Sequence, residues 1–270
     1  MDLKDGIFEL SDGVATYTMN RPDMRNALIP SIVADYQAVI ARVQSDPEIR
    51  ALVVTGAGGA FCAGGNIQRM KDGFSSGSEV AQNFVELHGW LKQFFDLPVP
   101  VIAAVDGPAF GGGLSLALGS DIVLATPGAT FCAVFQRIGL VPDMAVLYSL
   151  TRAVGLQRAK ELCFSARVMS AQEAMDMGIV LSLHDPHELV HEAQAVARRF
   201  THASREALAL TKSILNRSLS EDYDSLAAQE GLAQAICLLS DYHKDAVKKF
   251  LSKQPLPFNW EQLSQAKAAE

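Results

Sequence analysis

The stretch "GPAFGGGLSLALGSD", residues 107–121, decides the fold, because it joins a predicted strand to a predicted helix through three consecutive glycines. The apolar run "VIAAV" at residues 101–105 precedes it, and an apolar helical stretch follows the glycines. Glycines before a helix let a ligand approach the backbone closely, and the free N–H groups of the first turn attract a negatively charged or polarised atom. The stretch therefore predicts a ligand site at this helix N-terminus.

The same succession of strand, glycine-rich loop and helix recurs along the first half of the chain. Strands are predicted at residues 7–10, 14–19, 51–55, 101–105 and 121–125, with Asp12-Gly13 as the turn of a hairpin. Apolar residues at helical spacing predict helices over residues 31–45 and 80–95. This alternation favours an α/β core whose loops carry the function.

The second half of the chain is mainly helical, and the last predicted strand covers residues 179–183. We predict a core domain at residues 1–195 and a helical oligomerisation region at residues 196–270. Wide apolar faces, for example at Leu232 and Ile236, indicate self-association. Helices are predicted at residues 144–154, 157–165, 171–177, 188–201, 204–218, 222–239 and 241–252.

Composition excludes several classes of protein. The 270 residues carry a net charge of −7, which argues against a nucleic-acid partner. The four cysteines form no CxxC pair, so neither a zinc knuckle nor a disulfide framework is indicated, and a reducing cytoplasm is the expected location. The N-terminal "MDLKDGIFEL" lacks the pattern of a secretion signal, and no apolar run predicts a membrane span.

The glycine loops fit no common nucleotide-binding motif. Phe61 stands where a dinucleotide fingerprint needs its third glycine, and Leu114 stands where a P-loop needs lysine. Residues 113–117, "GLSLA", approach the G-x-S-x-G nucleophile elbow, with Ser115 as nucleophile and His88 and Asp143 as partners. That interpretation is disfavoured, because α/β-hydrolases place the histidine after the serine in the chain.

Four blocks of sequence follow one another in a fixed order: "NRPDMRNAL" (20–28), "VVTGAGGAFCAGGNI" (53–67), "PVIAAVDGPAFGGGLSLALGSDIVLA" (100–125) and "FQRIGLVPDMA" (135–145) followed by "SLTRAVGLQRAKEL" (149–162). Together they resemble the crotonase, or enoyl-CoA hydratase/isomerase, superfamily over about residues 20–258. The resemblance implies a crotonase-like α/β spiral of repeated ββα units with an all-helical C-terminal region, assembled as a homotrimer or a dimer of trimers. It also implies an acyl-CoA thioester substrate, as in fatty acid metabolism, with coenzyme A as part of the substrate and no separate cofactor.

The resemblance implies an oxyanion hole made by the backbone N–H groups of Gly65 and Gly112. Removing a proton next to a thioester creates an enolate, and preorganised donors stabilise that developing oxyanion more than the ground-state carbonyl. Each donor lowers the barrier by roughly 3 to 4 kcal/mol on the scale of known mutants. The alternative is that these glycines only permit tight loops and close helix-to-strand packing.

The acid–base residues depart from the pattern of the superfamily's hydratases. Where those enzymes have two glutamates, this chain has Ser115 and Phe135, which weakens ordinary hydration. Asp143 instead resembles the carboxylate of Δ3,Δ2-enoyl-CoA isomerases and phenylacetate-pathway ring isomerases. A single carboxylate can move a proton between the ends of an allylic system, and an apolar pocket would raise its pKa. The alternative is that Asp143 only caps the helix that follows it.

His88 is the second catalytic candidate. His88 lies 24 positions before Gly112, and Asp143 lies 31 positions after Gly112. The same two spacings resemble those of the 4-chlorobenzoyl-CoA dehalogenase branch. Dehalogenation or thioester hydrolysis through Asp143 and His88 is therefore an alternative, as is a structural histidine that donates to a backbone carbonyl. Hydration through an unidentified base and a catalytically idle CoA-binding homologue also stay open.

Six further residues are predicted to contact the CoA or acyl part of the substrate, and no functional metal site is predicted. His184, His187 and His191 have a spacing that could hold a metal, but no further ligand is set apart for it. The substrate-binding candidates are Arg25, Ala63, Met70, Phe84, Phe135 and Lys249.

Overall fold

The computed structural model describes residues 1–67, 71, 73 and 76–265, and within them the strands form two sheets. The larger sheet has six strands in the order β1-β2-β3-β4-β6-β9, and the smaller has three in the order β5-β7-β8. The strands are β1 Gly6–Ser11, β2 Val14–Met19, β3 Ala51–Gly56, β4 Val101–Val105, β5 Pro108–Phe110, β6 Ile122–Ala125, β7 Thr130–Cys132, β8 Met169–Ser170 and β9 Ser182–Leu183.

The helices lie on both sides of the larger sheet and make up most of the C-terminal part of the chain. In addition to two short 3-10 helices, Pro22–Met24 and Val134–Ile138, the described residues form eleven α-helices. These are α1 Pro30–Ser45, α2 Gly77–Phe95, α3 Gly112–Leu118, α4 Val146–Val154, α5 Leu156–Ser165, α6 Ala171–Asp176, α7 Leu189–Phe200, α8 Arg205–Leu215, α9 Tyr223–Leu239, α10 Asp241–Leu251 and α11 Trp260–Gln265.

The larger sheet is antiparallel only between β1 and β2, as the predicted hairpin requires, and parallel from β2 onward. Asp12 and Gly13 both have positive φ, the backbone conformation that favours such a hairpin turn. Parallel strands need crossover connections, and helices provide them here. The predicted α/β core is therefore confirmed.

Both faces of the larger sheet are buried, because successive side chains of a strand point to opposite faces. On one face Tyr17, Val54 and Ala103 join the main core, to which α1 and α2 also contribute. On the other face Val53 and Ile102 pack with residues of α7. Burial on both faces explains why β3 and β4 have continuous apolar sequences rather than alternating ones.

The smaller sheet was not predicted, because strands of two or three residues are too short to show a period. Isolated parallel bridges from Leu28 to Gly65 and from Cys62 to Ala109 extend its pairing toward the earlier turns of the chain. Each turn thus adds one strand to the larger sheet, then a short extended segment, and then a helix. This is the predicted crotonase-like spiral of ββα units, and it is confirmed.

The C-terminal helices differ from the core in burial. None of the residues of α8, α9 or α10 is buried, and large apolar side chains such as Leu232 (71% exposed) and Leu239 (75% exposed) face outward. The division at residues 195/196 stays a prediction, and α7 continues across it. Within the described ranges, no helix combines the length and apolarity that a membrane crossing requires.

Candidate active site

The two glycine loops meet because they follow the carboxyl ends of β3 and β4, which are neighbouring parallel strands. Two backbone hydrogen bonds join the loops: Cys62 N–H donates to Pro108 O at 3.0 Å, and Phe110 N–H donates to Cys62 O at 3.0 Å. In open α/β sheets, ligands bind where such loops converge at the carboxyl ends of the strands.

The N–H of Gly65 points away from the pairing that holds its loop. Leu28 N–H donates to Gly64 O at 2.8 Å, so the Gly64 carbonyl faces Leu28. In a trans peptide the carbonyl and the following N–H point in opposite directions. The Gly65 N–H therefore faces the other side of the loop, and Gly65 itself is exposed.

The N–H of Gly112 likewise points outward from the start of α3. Ser115 N–H donates to Gly111 O at 3.1 Å, which aims that carbonyl along the helix and the Gly112 N–H back beyond its N-terminus. Gly64, which precedes Gly65, lies next to Gly112: a methyl group built on Gly64 would lie 3.4 Å from Gly112 N. The structure thus places the loops that carry the two predicted donors, Gly65 and Gly112, side by side.

Close packing of the loops also requires glycine. A methyl group on Gly64, whose φ is +95°, would lie 2.6 Å from Phe110 O, and one on Gly113 would lie 2.1 Å from Cys62 O. Both neighbours are backbone atoms that cannot move aside independently. Tight packing at Gly64 and Gly113 and outward-facing N–H groups at Gly65 and Gly112 are therefore features of the same two loops, and the two interpretations of the sequence do not exclude each other.

Asp143 lies on a strained turn next to Gly112. The helix predicted from residue 144 begins at Val146 instead, because Met144 (φ 50°) and Ala145 (φ 62°) both adopt the left-handed conformation. The N-cap of α4 is Ala145, which has no side-chain cap, and Asp143 accepts from Val146 N–H only through its backbone carbonyl. The interpretation of Asp143 as a helix cap is wrong.

Ser115 holds this turn and is not a nucleophile. Its side chain is fully buried in α3, and its Oγ–H donates to Met144 O. The Met144 side chain in turn lies beside Gly112, where a methyl group on the glycine would come within 2.7 Å of Met144 Sδ. Ser115 therefore connects the helix of one predicted donor to the turn that carries Asp143, a role the sequence did not indicate.

Replacing Ser115 with alanine tests this connection. We expect Ser115→Ala to lower the free energy of unfolding by about 1 to 3 kcal/mol, because a buried carbonyl loses its donor. We also expect kcat to fall more than KM rises, because the substrate still binds while Asp143 loses its fixed position. Thermal unfolding and steady-state kinetics measure the two effects, and unchanged values of both would contradict the role.

The Asp143 carboxyl has a perturbed pKa. Burial raises its pKa from 3.8 to about 6, against the smaller opposing effects of His88 and of its own backbone N–H, which both lower it. Desolvation is the first cause, because a carboxylate loses its hydration inside an apolar pocket. A pKa of about 6 leaves the group largely ionised at neutral pH and basic enough to accept a proton.

His88 is an exposed residue of α2 that lines a cavity of about 590 Å³ and lies near enough to Asp143 to lower the pKa of that carboxyl electrostatically. Ala145 lines the same cavity, so the cavity adjoins the turn of Asp143. Across the parts of the chain that the structure describes, no hydrogen bond of the His88 ring to a backbone carbonyl is present, so the interpretation as a carbonyl-bound structural histidine is not supported.

The remaining predicted contacts divide between the site and the surface. Phe135 is buried near the second glycine loop, since a methyl group on Gly111 would lie 3.6 Å from its Cζ. Phe84 lies one turn before His88 on α2 and is 37% exposed. Ala63 N–H donates to Arg25 O at 2.9 Å, which joins the first glycine loop to the loop of Arg25.

Two of the predicted substrate contacts lie at the protein surface. The Arg25 side chain is exposed, and Lys249 on α10 forms an ion pair with Asp245 at 2.7 Å. Met70 lies outside the described residues.

The histidine group at residues 184–191 does not assemble as a set of three. His184 Nε2 lies 2.7 Å from Ser182 Oγ, whereas His191 is grouped with Glu188 and Glu192, with potential ligand atoms within 4.8 Å of one another. Glu188 and His191 are exposed surface groups, and the absence of a functional metal stays a prediction.

In a spiral of ββα units, the loops that carry the two predicted donors lie side by side, next to the turn of a carboxyl whose pKa is raised by burial. Residues 9–262 match the family described as Enoyl-CoA hydratase/isomerase. The chain belongs to this family of the crotonase superfamily, whose members act on acyl-CoA thioesters.

Similar known proteins carry different activities. The chain is 33% identical to a short-chain-enoyl-CoA hydratase of Clostridium acetobutylicum (95% of this chain, 98% of the relative) and 32% identical to the 1,2-epoxyphenylacetyl-CoA isomerase of Escherichia coli (91% and 95%). It is 30% identical to a 4-chlorobenzoyl coenzyme A dehalogenase of Arthrobacter sp (82% and 81%). An enoyl-CoA hydratase/isomerase structure from Cupriavidus metallidurans CH34 superimposes with a TM-score of 0.93 at 40% identity (96% and 97%).

Proposed function

We propose that this enzyme shifts a double bond in an enoyl-CoA thioester, with Asp143 as the acid and base. The observation that carries the proposal is the position and pKa of that one carboxyl, which lies on the turn next to Gly112 and has a pKa raised by burial to about 6. Ser115 and Phe135 occupy the places where hydration would need glutamates, and Ser115 is committed to the turn.

The reaction needs one proton carrier and one oxyanion site. The Asp143 carboxylate removes a proton from C2 of a 3-enoyl-CoA, and the electron pair moves into the thioester to form a dienolate. The N–H groups of Gly65 and Gly112 stabilise the negative oxygen. The protonated Asp143 then returns the proton to C4, and the double bond comes to lie between C2 and C3. Atoms and charge balance without a second acid.

The two N–H donors stabilise the thioester oxygen of the substrate more strongly in the enolate than in the ground state. Both N–H groups are aimed by their own peptide planes before any substrate binds, so little reorganisation is needed during the reaction. Burial of Phe135 beside Gly111 keeps the second donor in an apolar environment, where hydrogen bonds to charge are stronger. The exposed Gly65 leaves the other side open to the thioester.

The pH dependence of turnover tests the role of Asp143. Because the base must be ionised and its pKa is about 6, we expect kcat/KM for a 3-enoyl-CoA to be constant well above that pKa and to fall below it. The limiting slope is about tenfold per pH unit for a single essential base. A profile that stays flat at every acidic pH at which the protein is still folded would contradict the assignment.

A panel of thioesters distinguishes the reactions by mass. Incubation with 3-enoyl-CoA, 2-enoyl-CoA and 4-halobenzoyl-CoA, followed by mass spectrometry, gives no mass change for isomerisation, one added water for hydration, and exchange of halide for hydroxyl in dehalogenation. We expect conversion of 3-enoyl-CoA to 2-enoyl-CoA at constant mass. Addition of water as the faster reaction would overturn the proposal.

The electrostatic influence of His88 on the pKa of Asp143 favours a second candidate. Asp143 would attack a substrate carbon and His88 would activate the water that releases the product, as in dehalogenation or thioester hydrolysis. Phe135 stands where the resemblance to dehalogenases implies a tryptophan, which argues for isomerisation. Halide release from 4-chlorobenzoyl-CoA by the native enzyme, lost in His88→Gln, would favour this candidate.

We further propose a cytoplasmic homotrimer or dimer of trimers that needs no separate cofactor, with coenzyme A entering only as part of the substrate. The exposed apolar residues of α9 and α10, such as Leu239 and Phe250, support association through the C-terminal helices. Arg25 and Lys249 are the proposed cationic contacts for the phosphates of coenzyme A.

A further inference from the structure

We propose that the cavity beside His88 binds the distal carboxylate of a dicarboxylic acyl-CoA, with Arg152 as its recognition residue. The inference rests on the proposed acyl-CoA reaction and names the substrate class of the same site. It comes from the charges of the cavity wall and from the position of the cavity relative to the oxyanion hole.

The cavity lies where the far end of an acyl chain would reach. It begins at His88 and Ala145, beside the catalytic turn, and extends to Leu118 at the C-terminal end of α3. The oxyanion hole is at the N-terminal end of the same seven-residue helix, which is roughly 10 Å long. A chain of about eight carbons spans that distance, since an extended chain advances by a little over 1 Å per bond. The cavity volume of about 590 Å³ is ample for such a chain.

Most charges on the cavity wall already have partners of opposite sign. Lys92 pairs with Asp96, and Asp121 pairs with Lys212 at 2.7 Å. Arg217 lies 3.7 Å from Glu221. These three pairs are each neutral, so they add no net charge beside the cavity.

Arg152 is different, because within the described part of the chain no carboxylate oxygen comes within 4.0 Å of its nitrogens. The guanidinium is held in place without an ion pair. Its Cζ lies 3.4 Å from the centroid of the Tyr148 ring, its Nη2 donates to Ser220 Oγ at 2.7 Å, and its Nη1 donates to Tyr148 O at 3.3 Å. A guanidinium carries five N–H donors, so three remain for a ligand.

A carboxylate is the ligand that suits this arrangement. The planar guanidinium fork matches the two oxygens of a carboxylate, and stacking on Tyr148 fixes its plane in advance, which lowers the entropic cost of binding. A simple alkyl end would instead place a methyl group against the Arg152 guanidinium and leave its free N–H groups without an acceptor. The cavity therefore favours an acyl chain that ends in a carboxylate over one that ends in a methyl group.

Binding of saturated thioesters tests the proposal without requiring turnover. Octanedioyl-CoA and octanoyl-CoA differ only at the distal end, and isothermal titration measures the affinity of the full-length protein for each. We expect the diacid thioester to bind about 10- to 100-fold more tightly, the range expected for one charge-assisted interaction. Arg152→Gln should abolish the preference, and Arg152→Lys should retain part of it. Arg158→Gln is the matched control, because Arg158 is also exposed but lies on α5, outside the cavity wall.

Two outcomes would overturn the proposal: equal affinities of the native protein for the two thioesters, or a preference that persists in Arg152→Gln. The proposed isomerisation is tested separately with 3-octenoyl-CoA, which carries no distal charge. A diacid preference that depends on Arg152, found together with an absence of isomerisation, would support the carboxylate site and overturn the isomerase function. Isomerisation of 3-octenoyl-CoA without any diacid preference would support the isomerase function and overturn the carboxylate site.

Discussion

Asp143→Asn is expected to fold normally and to lose isomerase turnover by about 10²- to 10⁴-fold, the range observed when a general base is removed. The substitution keeps the size and most of the polarity of the side chain but removes the proton acceptor. The left-handed turn at Met144 and Ala145 depends on the backbone and on Ser115 rather than on this carboxylate, so the fold should persist. Steady-state kinetics with a 3-enoyl-CoA measures the loss, and near-native turnover in the folded variant would refute the assignment.

Stability provides an internal control for this variant. Burial raises the Asp143 pKa above its unfolded value, so the protonated form stabilises the folded state at low pH, and that contribution is lost as pH rises through about 6. An asparagine is neutral at every pH and avoids this loss. We therefore expect Asp143→Asn to be more stable than the native protein in mildly alkaline buffer by about 1 kcal/mol, after allowance for partial exposure, and no more stable at a pH below the unfolded pKa. Chemical unfolding at the two pH values measures the difference, and an equal effect at both would contradict the raised pKa.

The matched substitution Asp176→Asn removes a carboxylate of equal size at an exposed position. Asp176 ends α6 and accepts a side-chain hydrogen bond from Gln172 Nε2 at 2.9 Å, within the same helix. We expect no change in turnover and a change in unfolding free energy within about 0.5 kcal/mol. A similar loss of activity in both variants would indicate that net charge, rather than Asp143 itself, controls the rate.

Gly64→Ala is expected to have the second large effect, a loss of about 10²- to 10³-fold in kcat, as found when an oxyanion-hole donor is displaced. The added methyl group would lie 2.6 Å from Phe110 O and 3.4 Å from Gly112 N, so the two loops must separate. Separation moves the Gly65 and Gly112 N–H groups apart, and one oxygen can no longer accept from both. Kinetics with a 3-enoyl-CoA and the affinity for a saturated acyl-CoA measure the effect.

Two further glycine variants separate crowding from backbone strain. Gly139→Ala introduces a side chain at a φ of +71° with nothing within 4 Å, so it adds strain alone. Gly128→Ala meets neither strain nor a neighbour. We expect the first to lower the unfolding free energy by about 1 kcal/mol with normal kcat, and the second to change neither. Equal kcat in Gly64→Ala and Gly139→Ala would show that the distance between the loops is unimportant.

Local patterns were sufficient to predict most of the elements, whereas the two glycines proposed as oxyanion donors were assigned through the resemblance to the superfamily. The hairpin around Asp12-Gly13 and the buried strands β3 and β4 were predicted at nearly their observed bounds, and a helix was predicted after the triple glycine. These features depend on short-range preferences: period-two or continuous apolar runs, helical spacing, and glycine where the backbone is crowded.

The sequence was less informative where a conformation depends on distant contacts. The helix after Asp143 was predicted two residues too early, because nothing in "PDMAVLYSL" marks Met144 and Ala145 as left-handed. That conformation is accompanied by the hydrogen bond from Ser115, 29 positions away in the chain. A polar residue buried in α3 was the available signal, and it was interpreted as a missing glutamate and a possible nucleophile instead.

By itself the sequence determined the alternation of strands and helices, because local spacing predicts such elements, and the resemblance of its four blocks to a known superfamily indicated the spiral, the family and the two glycines proposed as oxyanion donors. Only the tertiary structure decided that Asp143 is a desolvated carboxyl rather than a helix cap, that Ser115 supports its turn, and that Arg152 stands on the wall of a neighbouring cavity. Desolvation and charge pairing are sums over neighbours brought together from remote parts of the chain, so they are properties of the folded molecule and cannot be read from any short stretch of it.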